Sequence, residues 1–423
     1  MRVPITARTV TAAAVAMAVL AAGCTSSKKS GDANADAASM QAGPISVAVA
    51  DPTGVFTTLT ATWNSTHAAE QVTLTPLPAD AASRRDSLVE HLQNKAAGYD
   101  VVVTDLTSTA EFAAAKWLEP LTGARAVDTS GSVAPVVAAG TYNHALYAAP
   151  ITAEAGLLYY RSDLLKAAPG TWAALTADCA LARTNSLACF SGQYAQGQDL
   201  TTNATESMFA AGGHLLAQDG KTAEADTAST RRGLQFLVDA FSKNVIPAAA
   251  ITYRQEQSVR AFSTGTLLMM RGDADSYATI SAKTSPVTGH VKVAPLPGPD
   301  GLAPAAYRGL GAGITSAGQH QRTALAFVRY LQSAAAQRTL LTAASLPPAL
   351  RSLYSDARLR AEYPFLGPLQ QGWATGRPFT VSPAYQAISD AVADNAYAAL
   401  TGTKKVAQAT KDLQAALAAL PLS

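Results

Sequence analysis

Aromatic side chains are scarce in this 423-residue chain: Phe, Trp and Tyr make up 7% of it, and only four residues are tryptophan. That is little for a protein that must stack on nucleobases or on the faces of sugar rings. An excess of either charge is also missing. The 32 basic and 30 acidic residues leave a net charge of +2, so there is no basic face of the kind that holds nucleic acid. Beyond the amino terminus no apolar run approaches the ~20 residues of a membrane-spanning helix. Motifs of catalysis are absent: no G-x-S-x-G, no H-E-x-x-H and no phosphate-binding P-loop. The six histidines, at 67, 91, 144, 214, 290 and 320, fall at no metal-ligand spacing, and neither a metal nor a cofactor is expected. Acidic residues are available for a glycosidase pair, but nothing in their order sets two of them at a working separation. The exclusions favour binding without chemistry.

What is present begins at the amino terminus. Arg2 and Arg8 are the only charged residues before an apolar run that starts near Val10 and ends in Leu20-Ala21-Ala22-Gly23-Cys24. A basic start, about a dozen apolar residues and a small-residue site make a secretory signal. The ending resembles the bacterial lipoprotein signal. That resemblance implies removal of residues 1–23 and lipidation of Cys24, with residues 24–43 as a flexible tether. The stretch after Cys24, Thr-Ser-Ser-Lys-Lys-Ser-Gly-Asp-Ala-Asn-Ala-Asp, is too polar to bury a core. The body is therefore expected at the cell membrane, anchored by lipid on its extracytoplasmic face. Losing the leader with Arg2 and Arg8 brings the two charge signs level. About 400 residues remain, enough for two domains, and 48% of the chain is apolar. Outside the cytoplasm the two remaining cysteines, Cys179 and Cys189, are expected to form a disulfide. Metal binding by the pair lacks a C-x-x-C spacing or nearby histidines.

From Ile45 strand and helix alternate. Ile45–Ala50, Val72–Thr75 and Tyr99–Asp105 read as strands; Val55–His67 and Ser83–Ala96 read as helices, the second with Ser83 as its cap. Near-continuous apolar strands joined by helices predict a parallel sheet covered on both faces. Ligands of such sheets lie outside the carboxyl ends of the strands, which singles out Asp51, Thr53, Asp105 and Ser108. Further on, Leu267–Met270 and Val291–Ala294 read as short strands. Ala324, Phe327, Val328 and Leu331 mark an amphipathic helix, and Asp390–Leu420 reads as helical with a break near Gly402. The glycine-rich stretch 309–313 is expected to be a turn between domains rather than a nucleotide loop.

Tyr99-Asp100-Val101-Val102-Val103-Thr104-Asp105, Thr109-Ala110-Glu111-Phe112-Ala113 and Trp117-Leu118-Glu119-Pro120-Leu121 resemble the extracellular solute-binding proteins of ABC importers, most of all the sugar-binding group with maltose and trehalose binders. The resemblance continues through Leu146–Pro150, Leu157–Leu165, Ala261–Gly265, Ala294–Gly301, Leu353–Asp356 and Arg377-Pro378. It implies a two-lobed α/β fold of the type II periplasmic-binding-protein kind, with a ligand cleft between the lobes. Lobe I is expected to take 44–150 plus 311–342, and lobe II 151–310 plus 343–423. It also implies capture of a small solute for ABC permease subunits in the membrane. Carried over residue by residue, it points to Asp105, Glu154, Glu256 and Arg377 as cleft residues, and Asn203, Asp273 and Tyr277 join Asp51, Thr53 and Ser108 among the candidates. Each has a structural alternative: Asp105 as a cap for the helix near Thr109, Glu256 as a solvated helix residue, Arg377 as a surface residue before a proline turn.

The sequence departs from the sugar binders where they keep aromatic platforms. Ser108, Gly272-Asp273-Ala274-Asp275 and Gly311-Ala312-Gly313 stand at the three places. Trp117 is read as core, leaving Tyr277 and Trp373 as possible platforms. Asp105, Glu154, Glu256 and Asp273 converging on one cleft with Arg377 alone would leave unbalanced negative charge, which suggests an amino-containing, positively charged solute. The missing tryptophans also admit a different function: a surface lipoprotein that kept the fold but serves as a sensor or assembly partner without sugar transport.

Overall fold

The computed structural model describes residues 40–94 and 98–422; Cys24, the leader and most of the tether lie outside that range. The chain lays down β1 (Ile45–Val49), α1 (Val55–Asn64), β2 (Val72–Pro76), α2 (Ala81–Gln93), β3 (Val101–Asp105) and the two-residue β4 (Ala149–Pro150). It then leaves to build β5 (Leu157–Arg161), α3 (Trp172–Thr184), β6 (Ala188–Ser191), α4 (Gln198–Ala210), α5 (Gln255–Ser263), β7 (Leu267–Gly272) and β8 (Val291–Pro295). It returns as β9 (Leu310–Ile314), α6 (Gln321–Leu331) and α7 (Ala334–Ala344), and finishes with α8 (Tyr385–Leu400) and α9 (Val406–Ala418). Two sheets result, in the orders β2-β1-β3-β9-β4 and β8-β5-β7-β6.

The first sheet follows from apolar, β-branched strands. Val47, Val49, Val101 and Val103 are buried and pack with α1, α6 and α7 into one core. β1 runs parallel to β2 and β3, but β9 is antiparallel to β3, Leu310 facing Asp105 and Ile314 facing Val101. The sheet is therefore mixed, not parallel as expected, because the returning chain enters from the cleft end and runs the opposite way. The glycine-rich 309–313 is likewise not a turn: it leads into and forms most of β9. A Cβ on Gly311 would stand 2.4 Å from Leu106 Cδ2, so glycine is what lets this central strand pass Leu106. α1 begins after Gly54, which adopts φ +75°, and its first N–H groups, of Phe56 and Thr57, donate to the Asp51 carboxylate at 3.0 and 2.8 Å. α2 starts earlier than expected. Its cap is Asp80, which accepts from the Ser83 N–H at 2.9 Å. Ala324, Phe327, Val328 and Leu331 form the buried face of α6.

The second sheet carries the other core, with α3, α4, α8 and α9 around it. Cys179 on α3 and Cys189 on β6 are joined by a disulfide, their Cα atoms 5.0 Å apart; closing so short a loop contributes about 3 kcal/mol on the chain-entropy model. A third apolar cluster lies beneath the crossing region and joins Leu106 and Val136 to Tyr159, Phe262, Tyr307 and Tyr354. The crossing segments are tied to each other through the backbone: Glu154 N–H donates to Arg308 O at 2.8 Å and Arg308 N–H to Glu154 O at 2.9 Å. The Leu310 N–H donates to Thr152 Oγ1 at 2.7 Å, and Ala153 N–H donates to Pro347 O at 2.8 Å. These contacts place Glu154 and Arg308 at the floor between the two sheets.

Candidate functional site

Two adjoining cavities open between the sheets. The larger, about 350 Å³, is lined by Asp105, Ser108, Glu154, Gln193, Asn203, Arg271, Asp273, Asp275, Arg308 and Tyr385 among others. The smaller, about 220 Å³, takes in Asp51, Thr53 and Phe56 and shares Arg84, Asp105, Glu154 and Asp275 with the first. A polar cavity of this size suits a small ligand that makes many hydrogen bonds.

One wall comes from the first sheet. Asp105 ends β3, and Arg84 on α2 donates to its Oδ2 through Nη2 at 2.6 Å and Nε at 3.2 Å. Arg84 Nη1 also donates to Ala79 O at 2.7 Å, which fixes the guanidinium. Asp105 therefore holds an arginine instead of capping the next helix. Ser108, 6% exposed, closes this side.

The opposite wall is a buried network. Arg271, at the end of β7, is 4% exposed and forms a forked pair with Glu206 on α4, Nε to Oε2 at 2.8 Å and Nη2 to Oε1 at 2.6 Å. Its Nη1 donates to Gln193 Oε1 at 3.0 Å and lies 3.1 Å from Asp273 Oδ1. Arg308 reaches the same Asp273 oxygen at 2.5 Å. Gln193 is in turn held by Asn203, whose Nδ2 donates to Gln193 Oε1 at 3.2 Å. Burial opposes charge on Arg271 and Arg308, yet Asp273 and the other acids outweigh it and hold both guanidiniums above their ordinary range. Burial likewise raises the Asp273 carboxyl, but Arg271 and Arg308 prevail and keep it below its usual value.

Glu154 behaves differently. Burial pushes its carboxyl up to about 7; Arg308 draws it down, and Asp275, Asp273 and Asp105 push it further up. Asp275 is also raised, first by burial and then by Asp273. Their contacts are neutral ones: Thr152 Oγ1 donates to Glu154 at 3.1 Å, and Gln255 Nε2 donates to Asp275 at 2.8 Å.

The candidate residues divide cleanly. Asp105, Ser108, Glu154, Asn203 and Asp273 share the larger cavity, and Asp51 and Thr53 reach the smaller. Three fall elsewhere. Glu256 is exposed on α5 and does not line either cavity, although Gln255, one residue round the helix, does. Arg377 stacks over Phe209 at 4.2 Å and meets His214 at 2.9 Å, because its short strand pairs with Ala306–Tyr307 away from the cleft. Tyr277 packs edge-on to Phe365 at 5.7 Å. Trp373 packs on Tyr354 and Trp63 on Phe327, Trp117 packs against Phe112 and Trp172 stacks on Phe236. No tryptophan lines either cavity. Sequence reasoning missed Arg84, Gln193, Asp199, Arg254, Arg271, Asp275, Arg308 and Tyr385. Arg271 and Asp275 flank the carboxyl end of β7, so the strand-end rule that found Asp105 could have found them. Tyr385 and Arg84 sit on helices and carry no such signal.

The family model for bacterial extracellular solute-binding proteins matches residues 34–338. A probable ABC transporter-binding protein of Deinococcus radiodurans is 30% identical over 375 residues, covering 82% of this chain and 86% of that protein. Among solved structures, maltose-bound MalE3 of T. maritima superposes with a TM-score of 0.81 at 27% identity, over 89% of this chain and 99% of that one. A solute-binding protein of Agrobacterium radiobacter K84, solved with ribitol, shares the fold at a TM-score of 0.76 and 21% identity, over 90% and 99% of the two chains. The chain belongs to the bacterial extracellular solute-binding proteins of ABC transporters. Its two-lobed α/β architecture is theirs, and family and fold are those of binding proteins rather than enzymes.

Proposed function

We propose that this protein is a lipid-anchored, extracytoplasmic receptor that captures a sugar or sugar-like solute and delivers it to the permease of an ABC importer. The observation that carries the reading is the hydrogen-bonding cavity between the two sheets, with carboxylates, amides and guanidiniums facing inward and the crossing segments at its floor. Carboxylates accept from hydroxyls and arginines donate in a planar fork, so the wall suits a polyol. The maltose carried by the T. maritima relative supports the same solute class. Asp105, Ser108, Glu154, Asn203 and Asp273 are the proposed ligand contacts, with Asp51 and Thr53 serving a longer solute that extends into the smaller cavity. Closure would turn the lobes about the segments near 152–154, 308–310 and 347, a hinge motion of the usual kind.

Anchoring rests on Leu20-Ala21-Ala22-Gly23-Cys24 and would keep the receptor at high local concentration beside one permease. Cys24→Ala should abolish lipid labelling and move the protein from the membrane fraction to the soluble one, with the body still folded. Retention in the membrane would end the anchoring proposal. Titration calorimetry with maltose, trehalose and pentitols tests the solute class, and silence across sugars and polyols would overturn it.

One observation favours a second reading. All four tryptophans are packed away from the cleft, so the platform on which a pyranose usually lies is missing. A receptor-like lipoprotein acting as a sensor or assembly partner would need none. Uptake of the bound solute by a strain deleted for this protein separates the two: unchanged uptake favours the sensor.

A further inference from the structure

Most acids on the cleft wall are answered by an arginine. Asp105 has Arg84, Glu206 has Arg271, Asp273 has Arg271 and Arg308, and Asp199 has Arg254 at 3.3 Å. Glu154 and Asp275 stand apart. Among the described residues neither forms an ion pair; Glu154 accepts from the Thr152 hydroxyl, and Asp275 from the Gln255 amide and, at 3.4 Å, the Ser276 hydroxyl. Both line the two cavities at once, so they stand where the cavities meet. Arg84 and Arg271 are committed to other carboxylates, and Arg308 sets Nη2 on Asp273 while its Nη1 lies 3.8 Å from Glu206 without a hydrogen bond. Glu154 is half-buried and Asp275 is exposed to the cavity, so both carboxylates are open to a cation arriving with the ligand, which would pair them by charge-assisted hydrogen bonds.

Two further observations concern the rest of the ligand. Ser108, 6% exposed, lines the larger cavity, and its hydroxyl meets no hydrogen-bond partner among the described residues. A ligand group that gives or takes a hydrogen bond can meet it there. The aromatic ring of the larger cavity, Tyr385, has its hydroxyl occupied by Gln198 at 2.7 Å, and no flat tryptophan face is offered to a neutral pyranose.

We infer that the cleft recognises a small polyhydroxylated solute bearing a protonated amine, an amino sugar or amino polyol, with its ammonium group held by Glu154 and Asp275 and a hydroxyl at Ser108. The inference rests on the receptor reading above and narrows its solute class. The groups facing Glu154 are Arg308 from the adjoining crossing segment, Asp273 and Asp275 from the segment after β7, and Asp105 from β3. With the Glu154 carboxyl near 7, affinity for an ammonium should climb between pH 6 and 8 as the carboxylate ionises. An alkyl amine with a pKa of ~10 keeps its own charge throughout that range.

The test is calorimetric titration of the purified mature protein with matched probes: 1-amino-1-deoxyglucitol against glucitol and against the N-acetyl derivative of the same aminoglucitol. At pH 8 the aminoglucitol should bind about tenfold or more tighter than glucitol, a difference of about 1.4 kcal/mol. The ratio should fall toward one at pH 6 and, at pH 8, in the Glu154→Gln/Asp275→Asn variant, whose folding is checked by its thermal transition. Ser108→Ala should weaken the amine and its neutral partner alike. Equal or tighter binding of the neutral and N-acetylated probes would overturn the cationic solute while leaving the sugar-receptor reading in place. Binding of no probe here would overturn the cationic solute, and the sugar-receptor reading falls with it only if maltose, trehalose and the pentitols are silent as well.

Discussion

The two walls of the cleft are built on different principles. On the first-sheet side the ion pair Arg84–Asp105 faces the cavity beside Arg85, which is paired with Glu111, and the Asp105 side chain is 32% exposed. On the second-sheet side Arg271, Glu206, Gln193, Asp273 and Arg308 interlock, with Arg271 and Glu206 exposed by 4% and 7%. A buried network in which each member is held by two others keeps its geometry without a ligand, whereas a half-solvated pair can re-form with one. The second wall is thus a preformed template and the first an adaptable face. Glu154, at the floor, belongs to neither network.

Breaking the template should have the largest effect. Arg271→Ala leaves Glu206 and Asp273 buried beside Arg308 alone, and should lower stability by about 3–5 kcal/mol in urea unfolding. A loss below about 1 kcal/mol would show that the two walls are alike after all. Next comes Glu154. Its folded-state carboxyl, at about 7, lies above the ordinary 4.5, so its contribution is full below the lower value and lost as pH rises through the upper. Glu154→Gln should therefore match the parent at pH 4 and be more stable at pH 8, by about 2–3 kcal/mol at ~1.4 kcal/mol per pH unit. Equal thermal transitions at both pH values would place the Glu154 carboxylate in water. The smallest effect is expected at the adaptable wall. Arg84→Ala should cost about 1–2 kcal/mol of stability, because Arg84 is buried but its partner Asp105 is 32% exposed and can be hydrated once alone, yet weaken solute binding measurably. A cost as large as that of Arg271→Ala would make Arg84 part of the template.

Strand composition made much of the fold legible. Val47, Val101 and Val103 lie in strands that could be read directly, as could the apolar face of α6 and the break between α8 and α9 near Gly402. The direction of β9 was not legible, since nothing local to Leu310–Ile314 tells whether the chain arrives from one end of the sheet or the other. Gly311 shows the limit well. Glycine suggested a turn, while its role is to let a central strand pass Leu106 at close range. In the site, Asp51, Thr53, Asp105 and Ser108 were found by a rule about strand ends, and that rule extends to Arg271 and Asp275. Glu256 and Arg377 illustrate the converse. Motif position brought each near the right element, but one residue of helical phase, or a small strand pairing elsewhere, turned the side chain away.

The amino-acid sequence alone determined the alternating α/β character, the paired cysteines and the family, because each is written in local composition or in motifs kept in order along the chain. Tertiary structure alone decided which charges meet. Arg84 and Asp105 are 21 residues apart, Arg271 and Glu206 65 apart, and ion pairing over such separations depends on how sheets and crossing segments fold back on one another. That is why an acid-rich cleft that Arg377 alone could not balance was expected, and a cleft whose acids are paired with four other arginines, with Glu154 and Asp275 left over, is what the fold creates.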